Sequence, residues 1–169
     1  LGMAGFSLVY NAPDTDKMAP IVAELASTTD LVIVNMHWGV EYEHEFRPAQ
    51  QALAHALIDA GADIIIGHHP HVVQGMEIYQ GKPIFYSLGN FIFDQYFSPD
   101  TQEGLAVDLV LSGENPDISL LPLKSKSSQV ALMAGEEKEE FFKKFSNWSE
   151  LDEEYKTQLL EGHFTLVNF

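Results

Sequence analysis

Three histidines stand within four residues at His68-His69-Pro70-His71, directly after the apolar run Ala62-Asp63-Ile64-Ile65-Ile66-Gly67. Neutral imidazole is a good ligand for a borderline divalent cation. Side chains at i and i+2 of an extended backbone point the same way, so His69 and His71 can face one ion or straddle two, while His68 points away. Pro70 removes a backbone donor and stiffens the loop, which lowers the entropy lost in fixing the ligands. The competing explanation is a set of exposed or hydrogen-bonded loop histidines. It suits a lone histidine better than three that follow a strand without amphipathic alternation.

His37 closes a second apolar run, Leu31-Val32-Ile33-Val34-Asn35-Met36, and Glu41 follows four residues later. Glu41 can ligate a metal, orient an imidazole as its acceptor, or shuttle a proton. If the stretch is extended, Glu41, Glu43 and Glu45 share one face, with Glu43 and Glu45 as a solvated acidic edge. Asn90, after Tyr86-Ser87-Leu88-Gly89, can ligate a hard cation, donate to an anionic oxygen, or serve as a turn residue. Gln74, three residues beyond His71, is a candidate substrate-binding amide of the same kind, as are Asp94 and Gln95 more weakly. His44 in a charged run and His55 inside a predicted helix read as structural or solvated, and His163 has no partner pattern.

The elements that must position these groups are legible from periodicity. Asp14 or Asp16 caps a helix carrying Met18, Ile21, Val22 and Leu25 on one face, up to Ala26. The runs ending at Met36 and Gly67 are β-branched and continuous, as expected of strands buried on both faces. Between them Pro48 opens a helix with Leu53, Ala54, Leu57 and Ile58 on one side and Gly61 as its stop. Strand, helix and strand within about forty residues predict a parallel pair with a right-handed crossover. Ligands of open α/β sheets gather beyond the carboxyl ends of the strands, so His37 and the 68–71 cluster are expected on one rim. Residues 76–79, 83–87, 105–111 and 118–123 read as further, antiparallel strands, the last two separated by Gly113-Glu114-Asn115-Pro116. Residues 135–160 form a charged helical segment, with Phe141, Phe142, Phe145, Trp148 and Leu151 as its packed face.

The 169 residues are 46% hydrophobic, enough for a single domain with a sizeable core. Nine basic and twenty-five acidic side chains give a net charge of −16, which repels phosphate backbones and argues against a nucleic-acid partner. The absence of cysteine excludes disulfides, thiolate zinc sites and a cysteine nucleophile, so any metal must be held by imidazole, carboxylate or amide groups. No apolar run approaches the roughly 20 residues of a membrane span, and the first residues lack the order of a signal peptide. The chain opens at Leu1-Gly2-Met3-Ala4-Gly5, inside what reads as a folded segment, so a leader or anchor outside it stays open.

Three segments in order, His37-Trp38-Gly39-Val40-Glu41-Tyr42, Gly67-His68-His69-Pro70-His71-Val72-Val73-Gln74-Gly75 and Tyr86-Ser87-Leu88-Gly89-Asn90-Phe91-Ile92-Phe93-Asp94, resemble the signatures of the CapA family of bacterial capsule and poly-gamma-glutamate synthesis proteins. The resemblance covers roughly residues 1 to 125. It implies a calcineurin-like metallophosphoesterase-type α/β sandwich (α/β/β/α), here without its N-terminal part, with 1–169 as one partial domain. It also implies that His37 matches the isolated histidine motif and His69 with His71 the final Gly-His-x-His motif, shifted one residue further from Gly67. The superfamily's early Asp-x-His, Gly-Asp and Gly-Asn-His motifs would precede Leu1. On this resemblance His37, His69 and His71 are metal ligands, and Glu41 or His68 assists proton transfer to the leaving oxygen. Gln74 and Asn90 then meet substrate. The cofactor expected is zinc or manganese, with two ions only when the upstream segment is present. The partners expected are an anionic polymer or phosphoester, and a polyglutamate synthesis complex at the membrane. The place expected is the extracellular face of that membrane, anchored through a segment outside this chain. A non-catalytic polymer-binding component of an export complex is the alternative.

Overall fold

A computed structural model describes residues 1–9, 14–110, 116–166 and 169. Its element order is β1 (Gly2–Ser7), α1 (Thr15–Ala26), β2 (Val32–His37), α2 (Pro48–Asp59), β3 (Ile64–His68), β4 (Val73–Tyr79), β5 (Lys82–Leu88), β6 (Glu103–Val110), β7 (Asp117–Lys126), β8 (Gln129–Leu132), α3 (Gly135–Trp148), α4 (Glu153–Glu161) and β9 (His163–Thr165). The predicted helices and the two buried strands are therefore in place. The strands β1, β8 and β9 go beyond the sequence reading. Residues 113–115 of the predicted turn before β7 lie outside the described residues.

The five-stranded sheet has the order β1-β2-β3-β5-β4. β1, β2, β3 and β5 are parallel neighbours, and β4 returns antiparallel to β5. The second sheet runs β6-β7-β8, with β9 also on β7, all antiparallel. The fold is thus the α/β sandwich expected, with mixed and antiparallel sheets.

Local chemistry explains the helix boundaries. Asp14 accepts from the Lys17 amide and caps α1. At α2 the Arg47 N–H donates to the Gln50 side chain at 3.0 Å, and Pro48 fills a first-turn position where no amide donor is needed. Asp152 caps α4, and Gly162 ends it at φ 79°, a left-handed conformation that glycine takes without Cβ strain.

Two apolar clusters hold the layers. In the first, Met18 and Val22 of α1 and Leu53, Ala54, Leu57 and Ile58 of α2 pack on Val34, Met36, Ile65 and Tyr86 of the mixed sheet. In the second, Met76 and Phe85 from the other face of that sheet meet Ile118 and Leu120 of the antiparallel sheet, and Phe141, Phe142 and Phe145 of α3. The aromatic face predicted for the acidic segment is buried there, with Trp148 and Leu151 packed against it, while Glu136, Glu137, Glu139 and Glu140 are exposed.

The sheet also encloses a carboxylate. Glu77 of β4 is 5% exposed and accepts from Tyr86 Oη at 2.7 Å and Gln51 Nε2 at 2.9 Å, and lies 2.6 Å from His55 Nε2. Three partners offset the desolvation that would otherwise disfavour a buried charge. His55 also stacks on Tyr79 at 3.7 Å, which confirms its structural reading.

Candidate metal centre at the strand ends

The parallel register builds the rim. Ser7 lies opposite His37 in the β1-β2 pair, and His37 opposite His68 in the β2-β3 pair. The ends of three successive strands thereby present Ser7, His37 and His68 side by side. Ser7 Oγ sits 3.4 Å from His37 Nδ1. Ser7 was missed in the sequence reading, although the half-apolar run before it carries a strand signal.

The loop after β3 is not extended. His69 has φ 103° and His71 φ 62°, so the i, i+2 argument for a shared direction does not hold. The outcome it predicted is nevertheless reached by another route, because the tight loop turns both imidazoles toward one opening. His68 does not point away either. It lines the same cavity as His37, His69 and His71, a space of about 620 Å³ whose lining also includes Leu88, Phe93 and Leu105.

Residues 41–46 are likewise a turn rather than a strand, with Tyr42 at φ 66°, so the three glutamates do not share a face. The Tyr42 amide donates to Pro70 O at 2.8 Å, laying this turn over the histidine loop. Glu43 pairs with Arg47 at 2.9 Å. Glu41 is left facing the histidines, and ligand atoms of Glu41, His69 and His71 all fall within 4.8 Å of one another. His37 is adjacent, its ring 4.8 Å from that of His69, but among the described residues the converging set contains Glu41 where His37 was expected.

The side-chain amides of Gln74 and Asn90 both have protein partners. Gln74 is 1% exposed; it accepts from Gln50 Nε2 at 3.0 Å and donates to Glu43 O and Glu45 O at 2.9 and 3.4 Å. It holds the 41–46 turn from below. Asn90 lines the cavity, but its Oδ1 is 2.9 Å from His71 Nδ1 and its amide donates to Thr101 O at 2.9 Å and Gln95 Oε1 at 3.3 Å. Gln95 in turn donates to Tyr42 Oη at 3.3 Å, whereas Asp94 is exposed. His44 is structural: its Nδ1 lies 2.8 Å from Val73 O and its ring stacks on Trp148 at 4.0 Å. His163 has a partner that the sequence did not signal, Asp117 at 3.7 Å.

At His68 and His69 the surroundings favour the neutral imidazole. Burial, and then the neighbouring His37, lower the pKa of His68. Burial is also the main cause for His69, followed by His37 and His71, with Glu41 opposing. Neutral rings keep a lone pair for a cation. One carboxylate oxygen and two imidazoles form a donor set that divalent cations accept, so the residues present fit an ion of that class.

Residues 6–95 match the family described as bacterial capsule synthesis protein PGA_cap, more than half of the chain. The chain belongs to the PGA_cap family. The matched span ends just beyond Asn90 and contains the whole histidine rim. Among relatives of this PGA_cap chain, the PGA biosynthesis protein CapA of Bacillus subtilis is 48% identical over 96 residues, covering 54% of this chain and 25% of that protein. The capsule biosynthesis protein CapA of Bacillus anthracis is 37% identical over 142 residues, 79% of this chain and 34% of that protein. A probable polyglutamine synthesis accessory protein of Mycobacterium tuberculosis is 38% identical over 132 residues, 71% and 34% of the two chains. The PGA_cap chain thus spans a quarter to a third of the length of these relatives.

Proposed function

We propose that this chain contributes a divalent-cation site to capsule or poly-gamma-glutamate biosynthesis, and that the site supports hydrolysis of a phosphoester or a related bond. The observation that carries the reading is the convergence of Glu41, His69 and His71 within 4.8 Å at the carboxyl ends of parallel strands. The names of the relatives support the process, and the donor set supports the chemistry. Zinc or manganese bound there would supply positive charge to polarise an anionic oxygen of the substrate.

The chain's own residues divide the remaining work. Glu41, His69 and His71 would hold the cation, and His37 stands beside them with its ring 4.8 Å from that of His69. His68, kept neutral by burial, is suited to accept a proton rather than to donate one at neutral pH. Leu88, Phe93 and Leu105 on the cavity wall would pack against an apolar part of the substrate. The place of action proposed is the outer face of the membrane, through a segment beyond this chain; no described helix is long and apolar enough to cross a membrane.

A second reading, a non-catalytic site that holds an anionic polymer, is favoured by one feature. The cavity is open enough for a chain, yet no lysine or arginine is among the described residues that line it, so a cation would have to bridge polymer to protein. Calorimetric titration with zinc and manganese, on this chain and on His69→Ala/His71→Ala, tests the shared premise. Wild type should bind and the double variant should not; equal binding by both refutes the site. Turnover of a generic phosphomonoester by a longer protein carrying the upstream segment separates hydrolysis from holding.

A further inference from the structure

Asn90 is 8% exposed and stands between the histidine loop and the segment before β6. Its amide can be oriented in two ways, and the neighbours decide between them. Thr101 offers a carbonyl oxygen at 2.9 Å, which has no hydrogen to give, so the Asn90 nitrogen must face it. Gln95 Oε1 at 3.3 Å is a second acceptor on the same side. Asn90 Oδ1 therefore faces His71 Nδ1 at 2.9 Å. An oxygen acceptor at that distance requires a hydrogen on Nδ1, which leaves the lone pair of a neutral His71 on Nε2.

The surroundings fix Asn90 itself. Thr101 Oγ1 donates to Gln95 O at 2.8 Å and to Ser98 O at 2.9 Å, closing the 95–101 loop around the acceptor. A Cβ on Gly104 would meet Asn90 O at 2.3 Å, so the β6 backbone abuts the Asn90 main chain. Gln95 Nε2 reaches Tyr42 Oη, and the Tyr42 ring stacks on His71 at 6.1 Å. His71 is thereby held on two sides by one connected set of contacts.

We infer that Asn90 is a positioning residue for the cation site: it selects the His71 tautomer whose Nε2 can ligate, and it does not itself touch substrate or metal. This rests on the site reading above for its purpose, but the tautomer exists with or without a cation. Partners of this kind, which donate to or accept from the far nitrogen of a ligating histidine, typically change metal affinity about 10- to 100-fold when removed.

The test uses the metal-free chain with ¹⁵N-labelled histidine, His71 being assigned through His71→Gln. Wild type above the imidazole titration should show His71 protonated on Nδ1 alone. Asn90→Leu, which has no acceptor, should shift His71 toward the Nε2–H form, and Asn90→Asp, which retains the acceptor, should restore Nδ1–H. Zinc titration of the same proteins should then show affinity about 10- to 100-fold weaker in Asn90→Leu, with part of the loss recovered in Asn90→Asp. A wild-type His71 protonated on Nε2 overturns the inference, as does a folded Asn90→Leu that binds zinc like wild type. If Asn90→Leu does not fold, the wild-type and Asn90→Asp spectra still decide the tautomer. A wild type that binds no zinc while showing the Nδ1–H form refutes the cation site and its positioning role, leaving the tautomer assignment intact.

Discussion

His69 and His71 occupy positive φ, 103° and 62°, and Tyr42 above them sits at 66°. Non-glycine residues in this region cost about 1–3 kcal/mol each, and such conformations concentrate at functional sites. At this rim they turn both imidazoles into one opening although the loop that carries them is not a strand. The types were readable from the sequence; the directions were not, because periodicity arguments assume regular backbone. The titration of His68 follows from its place on the rim. Burial lowers its folded pKa below the ordinary value near 6.5, so between the two values the unfolded chain binds more protons. The stability this neutral ring contributes is complete above pH ~6.5 and is lost as pH falls through the lowered value. Urea midpoints of the metal-free chain should therefore fall on acidification from pH 8 to 5, and His68→Gln should flatten that fall. Parallel curves for the two proteins would show that His68 does not titrate this way.

Among the elements, β3 and β5 depend on a single small residue. A Cβ on Gly67 would lie 1.9 Å from Tyr86 O and 2.6 Å from Trp38 Nε1, and Trp38 donates to that same oxygen at 2.9 Å. Gly67→Ala should force the strands apart, break the Trp38 bond and destabilise at or above the upper end of the ~1–3 kcal/mol typical of overpacked cores. Denaturant unfolding measures this, and an unchanged midpoint would refute so close an approach. β2 and β3 were legible as strands from their unbroken apolar runs, but burial on both faces does not hold for β2, where buried Val32, Val34 and Met36 alternate with half-buried Ile33 and Asn35 and exposed His37. β4 and β5 were legible as strands, and their link is a two-residue turn, Gln80 and Gly81 at φ 52° and 78°, suited to the twist of a hairpin. The short β8 and β9 were not legible. Their four and three residues take shape from pairing with β7, which is a long-range contact rather than a local preference.

At the scale of the whole molecule, the acidic helix α3 serves the core through one face. Phe145 is fully buried in the second cluster, and Phe145→Ala should cost about 3–5 kcal/mol, read from the same unfolding curves. Glu139 on the opposite, exposed side should be dispensable: Glu139→Ala should leave stability and zinc affinity unchanged, and a loss of either would assign the acidic face a role. The sequence alone determined the buried parallel strands, the helices between them, the residue types at the strand ends and the likeness to capsule synthesis proteins, since each rests on composition or spacing over a few neighbouring residues. Only the tertiary structure decided that Glu41 joins His69 and His71, that Gln74 and Asn90 brace the site, and that Ser7 shares the rim. Those outcomes depend on register between strands and on left-handed turns, and hydrogen bonds between segments 19 to 31 residues apart complete them. No local pattern encodes such distances, because the contacts form only when the sheet brings its strand ends together.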